Sequence, residues 1–160
     1  PGFPVIDLSK LKSVFSNSIL SNKKIYKTLF HGPSYQVLGK LNDVTKLTAT
    51  STIIRPNKTM FEDEIDLEIN PLAIEAGFQT AGLHLLITQK QMGLPSGIKQ
   101  LTIFHQNNEP HFIRVQYLRS TDSFSYYDIY ILDKEGNVSI KLEEYETIHT
   151  GHMEIPGVQF

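Results

Sequence analysis

Glu75 and Gln79 stand four residues apart in a segment that reads as a helix, so their side chains stack on one face near its N-terminal end. A carboxylate there can exchange a proton with a substrate, and the neighbouring amide can hold the carboxyl group or a leaving oxygen in place. The same spacing serves an exposed Glu/Gln pair on a solvated helix, which is the commoner use of such residues. A second group is His31-Gly32-Pro33-Ser34-Tyr35-Gln36. Gly then Pro fixes a tight turn, and His31 and Tyr35 flank it with groups able to give or take protons. Taken alone it is a turn ahead of a strand, and Leu94-Pro95-Ser96-Gly97 is likewise a loop signal. The other histidines (His84, His105, His111, His149 and His152) form no tight ligand spacing, so metal binding has little support. No nucleophile elbow, P-loop or dinucleotide-binding glycine pattern is present.

The elements that must carry these residues follow from pattern. Asn70 is a good N-cap and Pro71 suits the first helical position, opening a helix over Pro71–Gln91 that Gly93-Leu94-Pro95 stops. Ile74, Phe78, Ala81 and Leu85 form an apolar stripe along it that wants a sheet beneath. Gly77 and Gly82 lower its intrinsic helicity, and close backbone packing is the expected reason for both. Before the helix, Tyr35–Leu41 and Lys46–Arg55 are β-rich, followed by a loop from Pro56 through the acidic stretch after Met60. After it come four strands, Ile98–Gln106, His111–Arg119, Ser125–Asp133 and Val138–Ile148. In the third, Tyr127, Ile129 and Ile131 alternate with Asp128, Tyr130 and Leu132, which leaves its buried face open. Strands, one long helix and an antiparallel meander make an α+β domain over residues 31–150, with a curved sheet wrapping a helix. Residues 1–30 read as a Ser/Asn/Lys-rich arm with a short helix near Leu8–Leu20, and residues 151–160 as a tail.

Composition bounds the function. The 160 residues carry 15 Lys+Arg and 17 Asp+Glu, a formal charge of −2, and suit one domain that buries roughly 70% of its unfolded surface. Absence of cysteine excludes disulfides, cysteine-based metal sites and a thiolate nucleophile. The near-neutral balance argues against nucleic-acid binding. No apolar run approaches the ~18 residues that would argue a membrane span. Charge is nonetheless segregated. Lys10, Lys12, Lys23, Lys24, Lys27 and Lys40 accumulate where no acid occurs, and six acids cluster between Lys58 and Lys90. Two solvated faces explain this simply; a basic approach surface for an acidic partner is the sharper reading.

Four pieces in order resemble the dehydratase domains of polyketide and polyunsaturated-fatty-acid synthases: His31-Gly-Pro-Ser-Tyr-Gln36, Asn70-Pro-Leu-Ala-Ile-Glu75-Ala-Gly-Phe-Gln79, Leu94-Pro95, and Asp133-Lys-Glu-Gly136. That family has an HGPxFQ or YGPxF turn, a helix with HPxxxDxxxQ/H, an LPF loop and a closing D-x-x-G turn. The resemblance implies a hot-dog fold and places this chain as the second, C-terminal half of a double hot dog. It implies that Glu75 is the acid that protonates a departing β-hydroxyl and Gln79 the residue that orients it. His31, Gly32, Pro33, Tyr35, Leu94 and Pro95 would line the substrate channel. The reaction would be elimination of water from a 3-hydroxyacyl thioester held on the phosphopantetheine of an acyl carrier protein, with no cofactor and no metal of the chain's own. The α-proton base would be a histidine of an HxxxGxxxxP motif in an N-terminal hot-dog half or a second hot-dog subunit, since this sequence lacks that motif.

The resemblance further implies a cytoplasmic protein with neither nucleic-acid nor membrane partners, low in activity alone, and the start at Pro1 fits an excised fragment. Glu75 replaces the family's Asp, Asn70 its His and Ser96 its Phe. An acid role further requires burial to raise the pKa of Glu75. A non-catalytic acyl-binding or dimerisation module, and a hot-dog acyl thioesterase, are the alternatives.

Overall fold

Asn70 Oδ1 accepts from the backbone N–H groups of Leu72 (3.0 Å) and Ala73 (3.1 Å), and Pro71 takes the position where no N–H is needed, so the central helix begins where the sequence says it must. A computed structural model describes residues 5–7, 18–55, 69–104 and 109–159. In chain order the elements are β1 (Leu20–Ser21), α1 (Asn22–Thr28), a 3₁₀ turn (Pro33–Tyr35), β2 (Leu38–Val44), β3 (Thr48–Ile53) and α2 (Pro71–Gln89). There follow β4 (Gln91–Gly97), β5 (Gln100–Ile103), β6 (Phe112–Ser120), β7 (Phe124–Leu132) and β8 (Val138–His152).

The strands form one antiparallel sheet in the order β1-β2-β3-β6-β7-β8-β4, and β5 also pairs with β8. Register pairs such as Val115↔Ile129 and Ile131↔Ile140 put apolar side chains on a common face. Tyr127, Ile129 and Ile131 are fully buried, which decides the inward face of β7. The closing turn of the meander is held by Asp133 Oδ1, which accepts from Glu135 N and Asn137 N at 2.9 Å each, while Gly136 takes φ 92°. The sheet curls around α2, which is the hot-dog arrangement.

Several expectations are corrected. The stripe Ile74–Phe78–Ala81–Leu85 is not how α2 meets the sheet: Ala73, Ala76, Gly77, Thr80, Leu83, His84 and Ile87 are buried too, and Ile74 and Phe78 are only half-buried. A helix enclosed on most sides has no single apolar stripe to read. The helix ends at Gln89, where Lys90 turns left-handed (φ 57°) and its N–H bonds Leu86 O at 3.0 Å.

Leu94–Gly97 is strand, not loop: Leu94 pairs with Ile148 and Pro95 with Thr147, at the sheet edge where a proline is tolerated. The arm and tail boundaries also move. Leu20 and Ile25 are fully buried in the main core, and Ile155 joins them, so chain on either side of 31–150 belongs to the domain. Of the early helix expected near Leu8–Leu20, residues 8–17 lie outside the described residues, as do the 56–68 segment and His105. Gly77 meets the packing expectation, because a Cβ there would sit 2.8 Å from Ile129 Cγ2. Gly82 does not, for a Cβ there would meet nothing within 4 Å.

Candidate active site

Residues 75, 78, 79, 82 and 86 share one side of α2, and this side lines a cavity of about 410 Å³. Across from the helix stand Leu29, Phe30 and His31 from the segment after α1, Tyr35 from the 3₁₀ turn, Met92–Pro95 from β4, and Tyr145 from β8. Phe78 stacks on Tyr145 with ring centroids 4.7 Å apart, giving the cavity an aromatic wall. Concave, mostly apolar and holding a few convergent polar groups, it has the character of a small-molecule site.

The polar groups form one connected set. Gln79, only 4% exposed, donates through Nε2 to Glu75 Oε1 (2.9 Å) and to Tyr35 O (2.8 Å). Its Oε1 accepts from Tyr26 OH at 2.6 Å, and Tyr26 OH accepts in turn from Leu38 N at 2.8 Å. His31 Nε2 lies 3.0 Å from the same Glu75 Oε1, with its ring stacked on Phe30 at 5.0 Å between centroids. One carboxylate oxygen is therefore clamped from two sides, and Oε2 accepts no hydrogen bond among the described residues.

The electrostatics correct the expected raised pKa of Glu75. Burial is the largest single influence and pushes its pKa up. The hydrogen bonds from His31 and Gln79, with the charge of His31, outweigh it and hold the carboxyl below its ordinary value. Tyr26 moves the other way: burial, helped by the negative charge of Glu75, pushes it up to about 12 against the pull of backbone hydrogen bonds, so it stays a donor.

His31, Tyr35, Glu75, Gln79, Leu94 and Pro95 are thus brought around one cavity. Gly32 and Pro33 are not on its wall; they build the turn, in which Tyr35 N bonds Gly32 O at 2.9 Å and which presents the flanking side chains. Ser96 also stays off the wall, its hydroxyl bonding Glu146 Oε1 at 2.7 Å on β8. Tyr26, Phe30, Phe78, Gly82, Met92 and Tyr145 escaped the sequence reading as site residues. Phe78 and Gly82 share a helical face with Glu75 and were within its reach; Tyr26 lay in a stretch read as an arm. Among the described residues no group of three His, Asp or Glu side chains could hold a metal ion, and no helix is long and apolar enough to cross a membrane.

An antiparallel sheet curled around a helix defines a hot-dog protein, here with a carboxylate and an amide from that helix in an apolar cavity. The family of the polyketide synthase dehydratase N-terminal domain matches residues 7–154, so the chain belongs to the polyketide synthase dehydratase family. That description is of an N-terminal domain, whereas the motifs quoted above resemble those of the second half.

The chain is 20% identical over 148 residues to polyketide synthase PksN of Bacillus subtilis (strain 168), which is 88% of this chain and 3% of that synthase. Among solved structures it is similar to a trans-AT polyketide synthase dehydratase domain from Brevibacillus brevis, with 21% identity and a TM-score of 0.76, covering 93% of this chain and 54% of that one. It is also similar to the dehydratase domain of PpsC from Mycobacterium tuberculosis in complex with C12:1-CoA, with 14% identity and a TM-score of 0.68, covering 82% and 52%. The chain spans about half the length of these solved relatives.

Proposed function

We propose that this chain is the carboxylate-bearing second hot dog of a polyketide-synthase dehydratase, acting in the elimination of water from a 3-hydroxyacyl thioester. The observation that carries this reading is the Glu75–Gln79 pair, four residues apart on α2, inside an apolar cavity and tied there by His31, Tyr35 and Tyr26. The motif order supports the second-half placement, and the absence of an HxxxGxxxxP histidine supports a base supplied by another hot dog. The acyl ligand of the PpsC relative supports an acyl thioester as substrate class.

In this reaction a base on the partner hot dog takes the proton from C2 and the C3–O bond breaks. Glu75 Oε2–H gives its proton to the departing oxygen, which leaves as water. Glu75 must therefore hold a proton at the moment of elimination. In this chain the hydrogen bonds from His31 and Gln79 outweigh the burial that favours the neutral form, so the reading requires a second hot dog to cover the cavity, remove more water and tip that balance toward the protonated acid. The chain needs no cofactor of its own, because the thioester arrives on phosphopantetheine. Lys23, Lys24 and Lys27 are exposed on α1, which leads directly to Leu29 and Phe30 at the cavity, and their charge suits an acidic carrier protein.

A second reading rests on the lowered pKa of Glu75. A carboxylate held as its anion is a base, and it would activate water for thioester hydrolysis. Product analysis separates the two readings. The chain is mixed with a histidine-bearing hot dog and supplied with a 3-hydroxyacyl thioester of acyl carrier protein. An enoyl thioester with the carrier still attached supports elimination, and free acid supports hydrolysis.

A further inference from the structure

Glycine weakens a helix interior relative to alanine, so a glycine there needs a reason. Gly77 has one in its approach to Ile129. Gly82 has neither a close neighbour nor a left-handed backbone: it sits mid-helix, and a Cβ on it would enter open space with nothing within 4 Å. That space is the cavity, since Gly82 is part of its lining. Position along the axis gives the cavity a direction. Glu75, Gln79 and the His31 that pairs with Glu75 gather toward the N-terminal end of the lining face. Along the axis Gly82 lies about 10 Å beyond Glu75, and Leu86 about 6 Å beyond Gly82. Leu86, 2% exposed, and Met92, which follows the helix C-terminus, make that far end apolar. The cavity therefore has a polar end where a thioester's reacting carbons would meet Glu75, and an apolar end suited to a hydrocarbon tail.

We propose that Gly82 is a specificity-determining residue that sets the length of linear acyl chain the site accepts, by leaving open the passage from Glu75 to Leu86. The inference rests on the reading of this cavity as an acyl-thioester site. A side chain at position 82 would stand across the passage, so short chains would fit before it and longer chains would not.

The test compares the 160-residue chain with Gly82→Ala and Gly82→Leu by calorimetric titration against the butanoyl, octanoyl and dodecanoyl thioesters of N-acetylcysteamine. Wild-type affinity should rise with length by roughly fourfold per methylene for as long as the added carbons stay within the cavity. Gly82→Leu should bind the butanoyl thioester like the wild type and lose tenfold or more on the octanoyl thioester, with Gly82→Ala between the two. Thermal melts check the fold: both variants should melt no lower than the wild type, because both residues favour helix and a Cβ there meets open space. Equal octanoyl affinity in wild type and Gly82→Leu overturns the proposal while leaving the acyl-site reading in place. A wild type that binds none of the three thioesters overturns that reading and the proposal with it.

Discussion

His31 Nε2 lies 3.0 Å from Glu75 Oε1, joining the turn that leads into β2 to the central helix through one hydrogen-bonded acid–base pair. Glutamate has one more rotatable bond than aspartate, and the pair removes that freedom. With Gln79 Nε2 on the same oxygen at 2.9 Å, the carboxylate is fixed with Oε2 as the oxygen left to meet a ligand. The residue that resembles a channel-lining histidine thus acts first on Glu75.

Removing that partner should change how Glu75 titrates. Its folded-state pKa is depressed, so its contribution to stability is present above the ordinary carboxyl value of 4.5 and is lost as pH falls through the lower folded value. In His31→Phe the hydrogen bond and the nearby charge are gone and burial remains, so the Glu75 pKa should rise and the acid-side loss of stability should shrink. Carbon-detected NMR titration of the labelled Glu carboxyl groups reads this directly. An unchanged Glu75 midpoint in the variant would show that the pair does not govern it.

Tyr26→Phe should weaken both fold and site. The hydroxyl donates to Gln79 Oε1 at 2.6 Å and accepts from Leu38 N at 2.8 Å, so its loss strands two polar groups and should cost about 1–3 kcal/mol in urea unfolding. Gln79 then holds Glu75 less firmly, and in a reconstituted dehydratase kcat should fall with little change in KM. A variant as stable as the wild type would mean that water replaces the hydroxyl without loss.

His84 predicts a separate pH dependence. It is fully buried, with Nδ1 3.0 Å from Tyr127 OH and Nε2 3.1 Å from Thr45 O, and burial holds its pKa below the usual 6.5 despite backbone hydrogen bonds that raise it. The unfolded chain takes up a proton first as pH falls. Stability is therefore full above pH 6.5 and declines below it, down to the depressed folded value. Urea unfolding between about pH 8 and pH 5 should show this decline, and His84→Gln should flatten it. An equally steep decline in the variant would assign it to other groups.

What the sequence disclosed was local. Asn70-Pro71 marked the start of α2, the Glu75–Gln79 spacing placed both on one face, and the last three strand patterns gave the β6–β7–β8 meander, whereas the first, expected over Ile98–Gln106, is β5 and pairs with β8 instead of β6. What it hid depends on distant chain. Gln79 is buried because Tyr26, 53 residues away, and the Tyr35 carbonyl, 44 residues away, close over it. Leu94-Pro95 carries turn-forming residues and yet is strand, because Ile148 and Thr147 on β8 pair with it. Leu20 and Ile25 sit in a Ser/Asn/Lys-rich stretch whose composition says arm, and one buried face is enough to draw it into the core. The acidity of Glu75 went the same way: burial was foreseeable from an apolar cavity, whereas the opposing hydrogen bond from His31 required the fold that brings 31 to 75.

The most direct test of the account is the rate of enoyl-thioester formation by this chain, assembled with a histidine-bearing hot dog, as wild type and as Glu75→Gln. The amide keeps the shape of the side chain and cannot give up a proton to the departing hydroxyl. The account predicts turnover by the wild type and a loss of about 10²–10⁴-fold in kcat for the variant, the usual contribution of a general acid. Turnover at the wild-type rate by Glu75→Gln would contradict it.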